Sequence, residues 1–238
     1  MNDLGIKIYA DGADVNEIIK MSNDRFIDGF TTNPTLMARL GITDYLGFAK
    51  EVLSEVKDKS ISFEVFSDDL DDMYRQALIL RDLGENVWVK IPVTNTKSIY
   101  TYDLINKLSH EGVKVNATAL FTKDHIEKVY SALNPNVSSI ISIFAGRIAN
   151  VGIDPEPTME FASDLTKDHP LVETLWASSR EIFNIVEAAR TKTDIITLPF
   201  SLIKAYHKDF GKDLDKFSLE TVKMFYDDAK KSNFDIEI

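Results

Sequence analysis

The sequence contains no cysteine in its 238 residues. This absence excludes a disulfide framework, a cysteine nucleophile and a zinc site built on thiolates. Basic residues are outnumbered, since 27 lysines and arginines stand against 38 aspartates and glutamates and leave a formal net charge of −11. That charge argues against nucleic acids and anionic membranes as partners, so any anionic substrate must be attracted by a local basic cluster.

Long hydrophobic runs are absent too, because no apolar stretch approaches the roughly 18 residues that a membrane span needs. A signal peptide has a basic segment followed by an apolar core. The first residues, MNDLGIKIYADGADV, do not show this pattern. We therefore expect a cytoplasmic protein with no membrane partner. No linker or charge block divides the chain, and its composition of 44% hydrophobic and 27% charged residues suits one globular domain over residues 1–238.

Eight short apolar segments alternate with segments of helical periodicity. The predicted strands are residues 6–10, 26–30, 61–66, 87–93, 113–120, 137–144, 171–177 and 194–198. This alternation predicts an α/β fold, a (β/α)8 TIM barrel with an extra helix at its C-terminal end. A doubly wound open sheet is the alternative, but the sequence lacks the glycine-rich turn between strand and helix that is typical of nucleotide-binding sheets.

Serines before helical segments predict several helix starts, because a serine side chain accepts hydrogen bonds from the first free backbone N–H groups of a helix. Ser67 is expected to begin a helix that ends near Gly84. Ser178 and Ser179 are expected to begin the helix after the seventh strand, and Ser218 the last helix.

A lysine interrupts the apolar fourth strand, in the segment Val89-Lys90-Ile91. A lysine is almost never fully buried without a partner. Withdrawal from water lowers the pKa of an amine, and a neutral amine attacks carbonyl carbons to form Schiff bases. For a lone strand lysine, a side chain that reaches back to solvent is the more common arrangement. The residues at the other strand ends distinguish a buried, reactive lysine from one that reaches back to solvent.

Those other strand ends are polar as well. The residues concerned are Asp11, Thr31, Asn33, Glu64, Asn116, Thr118, Ser142, Arg147, Ser178, Arg180 and Thr197. In a TIM barrel the carboxyl ends of the strands form the active face, and polar residues within apolar strands are costly unless they pair with each other or with a ligand. Alone, Asp11 could be a turn residue and Asn33 a turn starter. Glu64 lies between Phe63 and Val65, so strand alternation directs its carboxyl to the opposite face, which is either the barrel interior or the solvated side of an edge strand.

Two arginines, Arg147 and Arg180, follow consecutive strands late in the barrel. Two guanidiniums beside a helix N-terminus suit a phosphate monoester, and barrels often hold phosphate after their last strands. The four histidines are scattered with no metal-ligand spacing, and the acidic cluster at residues 68–72 lies in the first turns of a helix, where carboxylates favour the helix dipole. We expect no metal site.

Together, these segments resemble the transaldolase family of Schiff-base aldolases. The residues that carry the resemblance are Asp11, TTNPT at 31–35, FEV at 63–65, VKIP at 89–92, NAT at 116–118, ISIFAGRI at 141–148 and ASSR at 177–180. They occur in this order over nearly the whole chain, which makes the set specific although no single segment is.

The resemblance implies a role for each residue. Lys90 would carry a dihydroxyacetone unit as a Schiff base, Glu64 would move protons through a water held by Thr118, and Asp11 would take the proton of the ketose C4 hydroxyl. The implied substrate-binding residues are Thr31, Asn33, Asn116, Ser142 and Phe144 around the three-carbon unit, and Arg147, Ser178 and Arg180 at the terminal phosphate. Sugar phosphates are the implied partners, with no metal or organic cofactor. A homo-oligomer is expected because short members of the family usually form one.

The family contains transaldolases, which pass the three-carbon unit to an aldose phosphate, and fructose-6-phosphate aldolases, which release it. Its aldolase members typically have Gln and Tyr where this chain has Glu64 and Phe144, and only a phenol could readily protonate the carbanion. We therefore expect a transaldolase acting on fructose 6-phosphate or sedoheptulose 7-phosphate. Against this, the chain has the short length of the aldolase subgroup. Ser179 and Asn150 also depart from an aromatic and an acidic residue common in transaldolases. The alternatives are an aldolase, an enzyme of an unusual sugar phosphate, and a non-catalytic sugar-phosphate-binding barrel.

Overall fold

The computed structural model of the protein describes residues 4–236. Eight parallel strands close into a barrel in which each strand pairs with its sequence neighbours and the first pairs with the last. The strands are β1 (Lys7–Asp11), β2 (Gly29–Thr31), β3 (Ser60–Glu64), β4 (Val87–Pro92), β5 (Val115–Leu120), β6 (Ser139–Ile143), β7 (Val172–Trp176) and β8 (Ile195–Pro199). The predicted TIM barrel is confirmed, and the open sheet is excluded.

Helices alternate with the strands along the chain, and two further helices follow the last strand. They are α1 (Val15–Ser22), α2 (Pro34–Arg39), α3 (Tyr45–Glu55), α4 (Leu70–Arg81), α5 (Tyr102–His110), α6 (Lys123–Ala132), α7 (Ala145–Asn150), α8 (Glu156–Thr166), α9 (Asn184–Arg190), α10 (Phe200–Asp209) and α11 (Leu214–Lys231). Among the residues described, no helix combines the length and the apolar character needed to cross a membrane.

Strand alternation explains how β4 can be apolar and still carry a lysine inside the barrel. Val89 and Ile91 are fully buried, and Lys90 lies between them. Because successive side chains of a strand point to opposite faces, the two apolar residues face the helices and the lysine faces the interior. The register then pairs Glu64 of β3 with Lys90 and Lys90 with Asn116 of β5. Three adjacent strands therefore bring polar groups to the same level of the barrel.

Strand β2 is shorter than predicted and begins at Gly29 rather than at Phe26. The Asp24 side chain accepts a hydrogen bond from the Phe26 backbone N–H at 2.9 Å, and the Asp24 carbonyl accepts one from the Ile27 N–H at 3.2 Å. Aspartate commonly forms such local turns. The apolar residues 26 and 27 therefore belong to a turn, and strand pairing starts only after it.

Two of the predicted helix starts are wrong because an aspartate caps the helix instead of a serine. Helix α4 starts after Asp69, whose carboxylate accepts from the Asp72 N–H at 3.0 Å, while the Ser67 hydroxyl accepts from the Asp69 N–H. Helix α11 starts after Asp213, so that Ser218 lies inside the helix. An aspartate caps as well as a serine and its charge also interacts favourably with the helix dipole.

The helix after β7 begins at Asn184, so Ser178 and Ser179 do not cap it. Ser178 has a backbone φ of 67°, in the left-handed region, whereas a capping residue is normally extended. The Ser179 hydroxyl donates to the backbone carbonyl of Thr197 at 2.8 Å. The two serines therefore shape the loop at the end of β7.

The chain divides into two compact units, one ending at Ile203 and one starting at Lys204. The first contains all eight strands. The second contains the end of α10 and the whole of α11, which is the expected C-terminal extra helix. No residue of α11 is buried. Its large exposed apolar residues are Leu214, Phe217, Leu219, Val222, Met224, Phe225 and Tyr226.

Candidate active site

A polar cavity of about 520 Å³ opens at the carboxyl ends of the strands. Eleven of the twelve predicted site residues line it, and the twelfth, Asn116, does not. The eleven are Asp11, Thr31, Asn33, Glu64, Lys90, Thr118, Ser142, Phe144, Arg147, Ser178 and Arg180. These residues come from the ends of seven strands, β1 to β7, and they meet only because the barrel brings all its strand ends to one face.

The buried Lys90 forms an ion pair with Glu64, which is partly exposed to the cavity. The two atoms Lys90 Nζ and Glu64 Oε2 are 3.1 Å apart, and Nζ also donates to the Thr32 backbone carbonyl at 2.9 Å. Lys90 is only 6% exposed, so the alternative in which the lysine reaches back to solvent is wrong. The arrangement places a nucleophilic amine within proton-transfer distance of a carboxylate, as acid–base chemistry at the amine requires.

The backbone of Glu64 is held by Tyr45 at the start of α3. The Tyr45 hydroxyl donates to the Glu64 carbonyl at 2.8 Å and accepts from the Glu64 N–H at 2.9 Å. Burial raises the pKa of Tyr45, so the phenol keeps its proton and both bonds persist. Sequence reasoning missed Tyr45 because its partner is a backbone group 19 residues away.

Thr118 is presented to the cavity by an irregularity in β5. The pairing register between β5 and β6 shifts between Ala117 and Leu120, and Ala119 has a φ of 61°. Such bulges redirect a side chain and are common beside active sites. Thr118 is 1% exposed, and its hydroxyl has no hydrogen-bond partner among the described residues. Since buried hydroxyls are nearly always paired, this one is available to a substrate group or a water molecule.

Asp11 is the second carboxylate of the cavity. Its Oδ1 accepts a hydrogen bond from the Thr31 hydroxyl at 2.7 Å. Burial raises the pKa of Asp11, the Lys90 charge and the Thr31 hydrogen bond act in the opposite direction, and the nearby negative charge of Glu64 adds a smaller increase. A carboxylate with a raised pKa is a stronger base, which suits a proton acceptor.

Asn116 is fully buried and acts on the cavity only through Ser142. The Ser142 hydroxyl donates to the Asn116 side-chain oxygen at 2.7 Å, and the Asn116 nitrogen donates to the Ser62 hydroxyl at 3.0 Å. A hydroxyl has one proton. Ser142 therefore faces the cavity as an acceptor, and a substrate hydroxyl would have to donate to it. Ser62 was not predicted from the sequence.

The predicted phosphate site lies at the loops after β6 and β7. Gly146, in the first turn of α7, packs so closely on this loop that an added Cβ would lie within 1.7 Å of the Ser178 carbonyl oxygen. The left-handed backbone of Ser178 and the absence of a side chain at residue 146 together set the position of the loop that carries Arg180. The guanidinium of Arg147 lies 5.1 Å from the centre of the Phe144 ring.

Asn150 lies beside Arg180, at the position where the sequence departs from an acidic residue. With its amide oxygen towards the guanidinium, Asn150 accepts from Arg180 Nη2 at 3.3 Å and its nitrogen donates to the Gly146 carbonyl at 3.0 Å. A neutral amide can orient the arginine without neutralising its charge. The full positive charge of Arg180 thus remains available to an anion.

The segment after β2 contributes an asparagine and an arginine to the cavity. Asn33 caps α2, since its side-chain oxygen accepts from the Leu36 N–H at 3.0 Å, which leaves its amide nitrogen for a ligand. Arg39, at the end of the same helix, also lines the cavity. Arg39 was missed because it lies beyond the strand end, in the last turn of α2. Among residues 4–236, no three histidine or acidic side chains come together as a metal site would require.

The closed barrel and the polar cavity at its carboxyl face place the chain in the class of TIM-barrel enzymes. The model of the transaldolase/fructose-6-phosphate aldolase family matches residues 8–237. A "Probable transaldolase" of Nitrosopumilus maritimus (strain SCM1) is 31% identical over 238 residues, which cover 98% of this chain and 100% of the relative. A "Probable transaldolase" of Novosphingobium aromaticivorans is 34% identical over 207 residues, covering 85% and 89%. The chain belongs to the transaldolase/fructose-6-phosphate aldolase family.

Among solved structures, a "putative lyase/mutase" from Burkholderia cenocepacia J2315 superposes with a TM-score of 0.60 over 86% of this chain and 80% of the other. The two sequences are 10% identical. This likeness confirms the barrel fold and carries no information about substrates.

Proposed function

We propose that the protein is a Schiff-base transaldolase that moves a dihydroxyacetone unit from a ketose phosphate to an aldose phosphate. The observation that carries the proposal is the ion pair of the buried Lys90 with Glu64, 3.1 Å apart, in a cavity that also contains Asp11. The proposed donors are fructose 6-phosphate and sedoheptulose 7-phosphate.

In the first half of the reaction, Glu64 accepts a proton from the Lys90 ammonium, and the free amine attacks the ketose carbonyl carbon. In the carbinolamine, one proton moves from the nitrogen to the former carbonyl oxygen, and the proton held by Glu64 then lets that oxygen leave as water, which gives the iminium. The unpaired Thr118 hydroxyl supports this step, because it can hold the water through which Glu64 transfers the proton.

Cleavage starts when Asp11 takes the proton of the C4 hydroxyl. The bond between C3 and C4 breaks, an aldehyde leaves, and the electron pair moves to the iminium nitrogen of Lys90. Ser142 and Asn33, which line the cavity, would bind hydroxyls of the remaining three-carbon unit. Arg147 and Arg180 would bind the phosphate of the leaving and of the entering aldose.

Transfer is favoured over release by Phe144. The ring is half-buried, 5.7 Å from the ring of Phe121 and beneath the Arg147 guanidinium. It presents no acidic proton to the carbanion. The three-carbon unit therefore waits on Lys90 until an acceptor aldehyde arrives.

Borohydride reduction in the presence of fructose 6-phosphate tests the proposal. We expect an irreversible adduct whose peptide map contains Lys90, and no adduct in Lys90→Ala. The exposed Lys97 provides the matched control, since Lys97→Ala should leave the adduct unchanged. An adduct that persists in Lys90→Ala, or no adduct in the unmodified chain, would contradict the proposed mechanism.

The apolar residues of α11 support the expected homo-oligomer. Leu214, Val222 and Phe225 lie on one side of the helix at helical spacing, and all three are exposed. An apolar helix face of this kind usually packs against a partner. We propose that the partner is a second copy of this chain.

A further inference from the structure

Two threonines connect Asp11 to strand β8 through a short chain of hydrogen bonds. Thr31 Oγ1 is 2.7 Å from Asp11 Oδ1 and 2.6 Å from Thr197 Oγ1. Thr31 and Thr197 are both buried, and they lie on β2 and β8, the two strands that flank β1. Among the described residues, Asp11 is thus hydrogen-bonded through only one of its two carboxylate oxygens, Oδ1.

The direction of these hydrogen bonds follows from proton counting. A hydroxyl carries one proton, and an ionised carboxylate can only accept. The Thr31 hydroxyl therefore donates its proton to Asp11, and the Thr197 hydroxyl donates its proton to Thr31. The backbone of Thr197 is itself held in place, since its carbonyl accepts from the Ser179 hydroxyl at 2.8 Å.

These hydrogen-bond directions leave one carboxylate oxygen of Asp11 free to accept a proton from a substrate. Oδ1 is occupied by Thr31, whereas Oδ2 has no hydrogen-bond partner among the described residues, and Asp11 lines the cavity. We infer that Thr197 is a positioning residue: through Thr31 it orients Asp11 so that Oδ2 faces the substrate hydroxyl as the proton acceptor. The inference rests on the proposed function, in which Asp11 starts the carbon–carbon cleavage.

The chain of hydrogen bonds also acts on the charge of Asp11. The charged groups that face this carboxyl are Lys90 and Glu64, and burial raises its pKa while the bond from Thr31 lowers it. If Thr197 no longer donates, the Thr31 hydroxyl can rotate away from Oδ1, and the pKa of Asp11 rises further. Because the base must be ionised, the acidic limb of the rate profile then moves to higher pH.

The test is the pH dependence of kcat/KM for cleavage of fructose 6-phosphate in Thr197→Val, Thr197→Ser and Thr31→Val. We expect the acidic limb of the profile to shift to higher pH, by roughly half a pH unit in Thr197→Val and by about one pH unit in Thr31→Val. In Thr197→Val, kcat should fall several-fold with little change in KM. Thr197→Ser should restore the limb because it restores the donor.

Two controls separate this role from packing and from the proposed function. Thr193 is a buried threonine just before β8, so Thr193→Val loses a comparable hydroxyl and should leave the limb unmoved. Trapping of dihydroxyacetone on Lys90 needs no C4 proton transfer and should persist in all variants. If the adduct forms but the acidic limb of the kcat/KM profile does not move in Thr197→Val, the inference is overturned and the proposed function stands. The same conclusion follows if Thr197→Ser does not return the limb to its original pH. The absence of an adduct in the unmodified chain overturns the proposed function and this inference with it.

Discussion

Lys90 shows how a single residue acquires its chemistry from its neighbours. The strand that contains it is apolar, and only the register of β3 and β4 brings Glu64 to 3.1 Å from its amine. A buried ammonium without a carboxylate beside it would be costly. In the proposed mechanism, the carboxylate beside the amine is also the proton acceptor when a carbonyl substrate arrives.

Phe144 carries a prediction at the same scale. We expect Phe144→Tyr to increase the release of free dihydroxyacetone by roughly tenfold, because a phenol can protonate the carbanion that remains on Lys90. The measurement follows glyceraldehyde 3-phosphate formation from fructose 6-phosphate with and without erythrose 4-phosphate.

Phe144→Leu is the matched control, since it changes the ring without adding a proton donor. In the unmodified chain, formation of glyceraldehyde 3-phosphate should depend on the acceptor. Equal rates with and without erythrose 4-phosphate would instead identify an aldolase.

At the scale of elements, the loops after β6 and β7 depend on each other. The first turn of α7 can lie against the Ser178 backbone only because residue 146 is glycine, and this contact determines where Arg180 stands. A backbone oxygen cannot move aside as a side chain can, so this close approach is sensitive to a single methyl group.

We therefore expect Gly146→Ala to displace the loop that carries Ser178 and Arg180. The free energy of unfolding should fall by about 2 kcal/mol or more. The KM for fructose 6-phosphate should rise roughly tenfold, as loss of a charge-assisted hydrogen bond to phosphate implies. Denaturant unfolding and steady-state kinetics measure the two effects.

Ala149→Ser is the matched control, because it alters an exposed residue of the same helix α7. It should change neither quantity. Trapping of dihydroxyacetone, which has no phosphate, should persist in Gly146→Ala. A variant with unchanged KM would mean that this loop does not bind the phosphate.

At the scale of the whole molecule, the charge and the apolar surface have separate roles. A net charge of −11 repels sugar phosphates at long range, so the guanidiniums of the cavity must act locally. The exposed apolar residues of α11 form the surface that we propose for association between copies.

We expect Val222→Lys and Phe225→Lys to reduce the molar mass in solution, because a charge cannot be buried in an apolar interface without a partner. Sedimentation over a range of protein concentrations measures the mass. Lys223→Glu, which changes an exposed charge of the same helix, should leave it unchanged. A monomer in the unmodified chain would contradict the proposed oligomer.

The alternation of apolar strands with helices was enough to predict the barrel, because the closed sheet follows from eight repeats of one pattern. Together with the family resemblance, which alone pointed to Phe144, it placed eleven of the twelve proposed residues at one cavity, since every strand end lies on the same face. The helix starts at Ser67 and Ser218 were wrong because a nearby aspartate competes for the same backbone groups, and local pattern does not rank them.

Contacts between distant residues were decided only by the tertiary structure. The buried state of Lys90, the support of Glu64 by Tyr45 and the withdrawal of Asn116 behind Ser142 depend on strand register and on a bulge at Ala119. The hydrogen-bond chain from Thr197 to Asp11 joins residues far apart in the sequence. Side-chain type predicts which chemistry is possible, but distances of about 3 Å decide which oxygen remains free to take a proton, and those distances exist only once the barrel has closed.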